Sequence, residues 1–241
     1  MRALILLLCT LAFGNSPAEL RATFQTGNQA FEKGDYDAAI HGYEQLLQAG
    51  VDTSEVHYNL GNAYYRQQKF GQSIFHFRKA ATLAPRDADT VFNLQFSRQK
   101  ATDQIERSGM VLWKHWLLIE GLSPRGLFIL LLMISALATI AFTLHLYRRG
   151  EALGYAKWAL LVGATYLTFA AGFRTFGELD YGVVKVPEAK VMSSFGKDGV
   201  MLFRLHEGAE FDIEDRVGSD WLRITLQDGK RGWISADAAV F

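Results

Sequence analysis

The sequence predicts a multi-domain membrane protein in which an all-α repeat solenoid, a two-helix transmembrane hairpin and a small all-β barrel follow one another. Three observations lead to this prediction: a 34-residue repeat in the first half, a poorly charged centre, and short alternating apolar runs near the C-terminus. The 25 basic and 25 acidic residues balance to a net charge of zero, which argues against a general nucleic-acid-binding protein.

The N-terminus has the plan of a secretory signal peptide, which we assign to residues 1–18. Arg2 is followed by the apolar run 3–13 and then by small residues, between which two cleavage sites fit. A run this short cannot cross a hydrocarbon core of about 30 Å. The only cysteine, Cys9, lies in this run, so we expect the mature chain to have no disulfide and no cysteine-based metal site. The alternative is an ordinary buried first helix.

Residues 19–107 repeat with a period of 34. At this offset Gly27 aligns with Gly61, Asn28 with Asn62, Tyr36 with Phe70, Ala39 with Ser73, and Tyr43 with Phe77. Thirty-four residues is the period of the tetratricopeptide repeat, a helix pair, and the segment resembles about two and a half such repeats. We expect Gly61 to lie at a close helix crossing, Gly71 to lie in a turn where alanine is better tolerated, and residues 87–107 to act as a capping helix.

The first helix of each pair is expected to build the concave wall of the solenoid. That wall should carry Phe24, Asn28, Phe31, Tyr58, Asn59, Asn62, Tyr65, Arg66, Phe92, Asn93 and Phe96. We take six of these as candidate protein-binding residues, because amide and phenol groups can hold an extended peptide backbone: Asn28, Tyr58, Asn59, Asn62, Tyr65 and Asn93. The alternative is that the asparagines only satisfy local backbone groups. A clamp for a terminal carboxylate is not favoured, since Phe24 and Asp89 stand where basic residues are needed.

The centre of the chain predicts two membrane spans. Residues 108–176 contain six basic and two acidic residues, far fewer than either flank. We assign an interfacial helix or linker to 108–125, a first transmembrane helix to 126–147, a cytoplasmic loop to 148–155 and a second transmembrane helix to 156–174. The basic loop and the signal peptide together place both flanking domains in the periplasm. Neither predicted span contains an acidic residue, which argues against an ion-coupled transporter.

Residues 181–241 predict a small β-barrel of five or six strands. The alternating runs are 183–186, 189–193, 200–205, 210–216, 221–226 and 232–235, and Asp228-Gly229 is a strong hairpin signal. The segment resembles the bacterial SH3-like domain in Leu205-His206-Glu207-Gly208, Trp221-Leu222-Arg223-Ile224 and Gly232-Trp233-Ile234. The residues after Gly232-Trp233-Ile234 do not match those with which eukaryotic-type SH3 domains bind proline-rich ligands. Trp221 is a candidate for a ligand surface, whereas Trp233 is expected in the core.

The order of these segments resembles the BatE-type proteins of the Bat (Bacteroides aerotolerance) group. The resemblance covers nearly the full chain, and its most specific residues lie in the 58–64 repeat core and the 205–233 barrel motifs. It implies an inner-membrane protein that works beside von Willebrand factor A domain membrane proteins and a MoxR-type ATPase. It further implies a role in tolerance of oxygen or envelope stress, and it brings no catalytic residues and no cofactor.

The sequence itself predicts no enzyme. It contains no Gly-x-Ser-x-Gly, phosphate-loop or His-Glu-x-x-His motif, and its six histidines show no metal-ligand spacing. We therefore expect a non-catalytic inner-membrane scaffold that presents interaction domains to the periplasm, with no metal or cofactor. The alternative is a protein that binds or senses peptidoglycan through the SH3-like domain.

Overall fold

The computed structural model describes most of the repeat and C-terminal segments and part of the centre. The described residues are 16–103, 124–148, 158, 160–166, 168, 180–196 and 198–241. Nearly all of the predicted signal peptide and interfacial helix, and almost all of the predicted cytoplasmic loop, lie outside these residues.

Five helices form the N-terminal half. They are α1 (Pro17–Glu32), α2 (Tyr36–Gln48), α3 (Ser54–Arg66), α4 (Phe70–Leu83) and α5 (Ala88–Arg98). Short polar side chains accept hydrogen bonds from the first turns of four of them, which fixes where these helices begin: Ser16, Asp35, Thr53 and Asp87. Since α2 and α4 begin 34 residues apart, the helix pairs follow the period of the sequence.

Glycines allow the two helices of each pair to approach closely. A Cβ atom at Gly27 would lie 2.8 Å from a ring carbon of Tyr43, and one at Gly61 would lie 2.7 Å from a ring carbon of Phe77. Both rings are almost fully buried, so neither can easily move aside. The expectation that Gly61 lies at a close helix crossing is therefore confirmed.

Helix α6 (Pro124–Arg148) is a continuous helix of 25 residues over the first predicted span, and most of its described side chains are exposed. Over the second predicted span, the longest unbroken described helix is 160–166.

The predicted membrane hairpin must be corrected. Among the residues described, none of the helices combines the length and the apolar character needed to cross a membrane. By this finding the two spans predicted at 126–147 and 156–174 are wrong. The predicted localisation, a bacterial inner-membrane protein with both soluble domains in the periplasm, depended on those spans and is wrong with them. The prediction rested on two apolar runs with little charge, and such runs are necessary for a span but do not suffice to establish one.

The C-terminal segment forms an antiparallel sheet of seven strands. They are β1 (Asp180–Val184), β2 (Glu188–Met192), β3 (Met201–His206), β4 (Glu210–Val217), β5 (Trp221–Thr225), β6 (Arg231–Ser235) and β7 (Ala239–Val240), in the order β3-β2-β6-β5-β4-β1-β7. Six of these strands coincide with the six predicted runs to within about three residues. The predicted hairpin at Asp228-Gly229 joins β5 to β6, and Gly229 has the positive φ of 86° that favours glycine.

The sheet packs against the last helices of the repeat segment. Val183 of β1 is fully buried and shares an apolar cluster with Ile74 and Phe75 of α4 and Leu94 of α5. In a longer solenoid, a further helix would cover this face of α4 and α5. In this chain the sheet covers it.

Polar contacts reinforce the same interface. The carboxylate of Glu210 accepts hydrogen bonds from Arg98 at 2.6 and 2.8 Å and from Arg78 at 3.0 Å. Beyond the end of α5, Asp103 accepts a hydrogen bond of 2.6 Å from the backbone N–H of His206, and its other oxygen lies 2.9 Å from the His206 ring. These contacts join residues more than 100 positions apart.

Gly71 also belongs to this interface, which corrects our expectation for it. Gly71 is the second residue of α4, not part of a turn, and it is buried. Its backbone N–H donates to the Glu207 carboxylate at 3.1 Å, and a Cβ atom there would overlap the carbonyl oxygen of Val184. Alanine at this position is therefore poorly tolerated.

Candidate functional site

The candidate site is the face formed by α1, α3 and α5, the first helices of successive pairs. Thr53 and Asp87 cap α3 and α5 and stand 34 residues apart, so the two helices start at equivalent places in the repeat. This common start aligns side chains of the two helices in register along the face. The six predicted protein-binding residues divide into three groups on it.

Asn28 and Asn59 lie together between α1 and α3. The side-chain amide of Asn59 donates to the Asn28 carbonyl oxygen at 3.1 Å, and the Tyr43 hydroxyl donates to the same oxygen at 2.8 Å. Burial raises the pKa of Tyr43 to about 12, with the nearby Glu32 charge adding to the shift, so the hydroxyl remains a donor at neutral pH. The Asn28 oxygen is thus engaged within the protein, and the pair holds two helices in register.

Tyr58, Asn62 and Asn93 form the second group, between α3 and α5. The Asn93 amide lies 3.1 Å from the Tyr58 hydroxyl and 3.4 Å from the Asn62 side-chain oxygen, and it donates to both. Asn28 and Asn59 are 31 positions apart, as are Asn62 and Asn93, so the same amide pairing recurs one repeat later. The alternative interpretation, that the asparagines satisfy local groups, holds in part: they satisfy one another.

Tyr65 belongs to an aromatic group at the far end of α3. Its ring centre lies 5.6 Å from that of Phe70 and 5.7 Å from that of Phe96, which stacks on Phe92 at 6.1 Å. The side chains of Phe92 and Phe96 are 65% and 41% exposed, although large aromatic side chains usually bury most of their surface. The three rings on α3 and α5, those of Tyr65, Phe92 and Phe96, therefore form an apolar patch open to the surface.

A pocket of about 450 Å³ opens at the other end of α3. It is lined by Phe24, Ser54, Glu55, Tyr58, Asn59, Ala84 and Asp87. Phe24, Tyr58 and Asn59 belong to the predicted concave wall, whereas the two carboxylates were missed by sequence reasoning. Glu55 could have been found from its place in the first turn after the Thr53 cap, and Asp87 from its place as the equivalent cap. The lining contains two acidic residues and no basic one.

Two buried histidines behind this face were also missed. Nδ1 of His57 lies 2.9 Å from Nδ1 of His76, and Nε2 of His57 lies 2.8 Å from an Asp52 carboxylate oxygen. Because the carboxylate can only accept, a neutral His57 donates to it from Nε2 and accepts from His76 at Nδ1. Burial, with the His57 and Lys79 charges adding to the shift, lowers the pKa of His76 to about 3. The pair lies between α3 and α4 and fixes their contact.

The ligand-surface candidate of the sheet, Trp221, is half-buried at the start of β5, opposite Val217 and Ser235. Trp233 is also half-buried, not part of the fully buried core as expected, and its ring lies 5.1 Å from that of the exposed Phe195. Across the part of the chain that the structure describes, we find no group of three or more histidine, cysteine or acidic residues placed to hold a metal ion.

Comparison with known proteins supports the repeat assignment and goes no further. Residues 24–88 match the family model of the tetratricopeptide repeat, a span that holds most of α1 and all of α2 to α4. The match covers 65 of the 241 residues, the span from 24 to 88, and does not include the sheet. The search of curated proteins returned no match. Tetratricopeptide repeats are typically protein-interaction modules without catalytic activity, and this is the functional class that the comparisons indicate.

Proposed function

We propose that this protein is a non-catalytic scaffold that binds a peptide segment of a partner protein on the α1/α3/α5 face of its repeats. The observation that carries the proposal is the arrangement of that face. A pocket at one end and an exposed aromatic patch at the other flank a row of amides between them. Side-chain amides offer both donors and acceptors, which suits an extended backbone.

The packing of the sheet supports a scaffold with a rigid binding face. The sheet packs on the side of α4 and α5 that faces away from the α1/α3/α5 face. It therefore stabilises these helices and leaves that face open. Side chains that are already positioned lose little conformational freedom when a ligand binds, and this favours affinity.

The resemblance to the Bat group names the first partners to test. These are von Willebrand factor A domain proteins and a MoxR-type ATPase, and a role in oxygen or envelope stress tolerance would follow from them. Peptidoglycan binding through the sheet, with Trp221 on its surface, stays a prediction of the sequence that none of the described contacts tests.

Affinity purification of the full chain with its bound partners tests the proposal. We expect the combined variant Tyr58→Phe, Asn59→Ala and Asn62→Ala to recover at least five-fold less partner, because it removes polar groups of the face and keeps the Tyr58 ring that packs on Phe77. The control is Gln48→Ala, which truncates an exposed side chain at the end of α2. Equal recovery by the combined variant and the control would contradict binding at this face.

A further inference from the structure

The charges along the α1/α3/α5 face differ between its two ends. At the pocket, the carboxylates of Glu55 and Asp87 stand beside the rings of Phe24 and Tyr58. At the aromatic patch the charged neighbour is basic, since the Lys100 ammonium lies 5.7 Å from the centre of the Phe96 ring. The pocket therefore carries negative charge, whereas the aromatic patch has a positive charge beside it.

The pocket suits a basic side chain. Lysine and arginine are attracted to carboxylates, and their cationic groups are also attracted to the faces of aromatic rings such as Phe24 and Tyr58. A carboxylate ligand would be repelled by Glu55 and Asp87 there. The neutral Ser54 hydroxyl and Asn59 amide add hydrogen-bonding groups to the lining without changing this charge preference.

The aromatic patch suits an apolar side chain. Phe92 and Phe96 expose 65% and 41% of their surface, and an aliphatic side chain that covers them would be removed from water at the same time. Lys100 beside Phe96 disfavours a second cation at this end. The patch and the pocket therefore select different residues of one ligand.

The length of α3 sets the distance between the two anchors. Glu55 and Tyr65 are ten residues apart on one helix, which corresponds to about 15 Å at 1.5 Å per residue. An extended peptide advances about 3.3 Å per residue, so four to five residues cover that distance. The amides of Asn62 and Asn93 lie between the anchors, where the backbone of such a peptide would pass.

We propose that the face selects an extended peptide with a lysine or arginine in the Glu55 pocket and an apolar residue, four to five positions away, on the Phe92 patch. This inference rests on the proposed function and specifies the chemistry of the partner. It differs from a terminal-carboxylate clamp, because the anchoring charge on the ligand is positive.

Fluorescence anisotropy with the full chain and defined peptides tests the inference. The probes are capped, labelled peptides of serine and asparagine that carry one arginine and one leucine, placed two, five or nine positions apart. A matched set carries glutamate in place of arginine. We expect the five-position arginine peptide to bind at least ten-fold more tightly than its glutamate counterpart, and more tightly than the two-position and nine-position arginine peptides.

Two exposed positions provide the variants. Glu55→Gln is expected to reduce the preference for the arginine peptide over the glutamate peptide at least three-fold. Phe92→Ser is expected to weaken binding of the arginine peptide and of the glutamate peptide by the same factor, because both carry the leucine. The control is Asp237→Asn, which removes an exposed carboxylate from the sheet segment and should change neither affinity. Circular dichroism of each variant establishes that the helices are intact.

The outcomes separate this inference from the proposed function. If peptides bind and Phe92→Ser weakens them, but arginine and glutamate peptides bind alike or spacing has no effect, the face binds peptides and the selectivity is wrong. If no peptide binds wild-type protein, both proposals are wrong. If no peptide binds and the Phe92→Ser variant has a lower mass than the wild-type protein in sedimentation, a second copy of the chain occupies the face. That result likewise overturns the inference.

Discussion

Gly61 lies where α3 and α4 cross, and its lack of a side chain determines how closely the two helices approach. In an exposed helix, Gly→Ala stabilises by about 0.4–1 kcal/mol, because the unfolded chain loses freedom. At Gly61 the new Cβ would meet the buried Phe77 ring at 2.7 Å. We expect Gly61→Ala to destabilise the protein by about 1–3 kcal/mol through overpacking, and Gly61→Leu to cost more.

Gly42 provides the matched control in urea unfolding of the full chain. It also lies inside a helix, α2, but a Cβ there would meet its nearest neighbour, the Cα atom of Gly27, at an ordinary contact distance of 3.5 Å. Gly42→Ala should therefore leave the free energy of unfolding unchanged or raise it. Equal effects at the two positions would show that the close crossing does not limit stability.

Single residues also show how far the sequence could predict the site. The 34-residue offset placed Asn28, Asn59, Asn62 and Asn93 on one face, and the structure brings them there. The offset could not reveal that they pair with one another, because the pairing depends on how successive helix pairs are stacked. The His57–His76 contact was missed for the same reason, because each histidine acquires its surroundings only from the neighbouring helix.

At the scale of elements, the contact between α3 and α4 makes the fold sensitive to acid. Burial lowers the pKa of both His57 and His76, that of His76 to about 3, even though Asp52 partly offsets the shift at His57. An unfolded histidine titrates near 6.5, so below that pH the unfolded state binds more protons than the folded state. Stability contributed by the pair is fully present above about pH 6.5 and is lost as the pH falls toward 3.

We therefore expect the free energy of unfolding, measured by urea titration, to fall between pH 6.5 and 5 with a slope that approaches at least one proton per molecule from His76, to which His57 adds in the same direction. The variant His76→Gln should flatten this slope, whatever its stability at neutral pH. The control His41→Gln removes an exposed histidine of α2 and should keep the wild-type slope. A stability that is independent of pH over this interval would contradict the buried, neutral pair.

The helices and strands, whose sequence patterns are local, were predicted well. The membrane spans, which depend on what surrounds a helix, were not. Helix pairs follow from the repeat, and six strands follow from alternation bounded by turns such as Asp228-Gly229, because those signals arise within a few neighbouring residues. The spans at 126–147 and 156–174 were inferred from long apolar runs with little charge, and such runs do not specify what surrounds a helix.

At the scale of the whole molecule, the sheet and the last helices of the described repeat segment share one interface. The structure sets β1, β4 and β7 against α4 and α5. No local pattern could indicate this packing, because Arg78 and Glu210 are 132 positions apart and each has ordinary neighbours in sequence. The two halves of the described structure therefore support each other's folding.

Glu210 tests this mutual support. Its side chain is 14% exposed and accepts hydrogen bonds from Arg78 and Arg98, so Glu210→Gln leaves two partly buried guanidinium groups without their counter-charge. Hydrogen bonds to charged groups contribute about 1.5–3 kcal/mol, and we expect a loss of that size. The matched control is Glu188→Gln, since the Glu188–Arg204 pair is 42% and 52% exposed and such surface pairs contribute about 0–1 kcal/mol.

Hydrogen exchange at increasing urea distinguishes mutual support from simple contact. In the wild-type chain, amides of α4 and α5 should lose protection together with those of β1 and β4, because neither side of the interface is covered without the other. In Glu210→Gln, protection of both sides should fall at a lower urea concentration, and in Gly71→Ala, which forces Val184 away from α4, the two sides should lose protection separately. If the helices and the sheet already unfold at different urea concentrations in the wild-type chain, the two segments are in contact but do not stabilise each other.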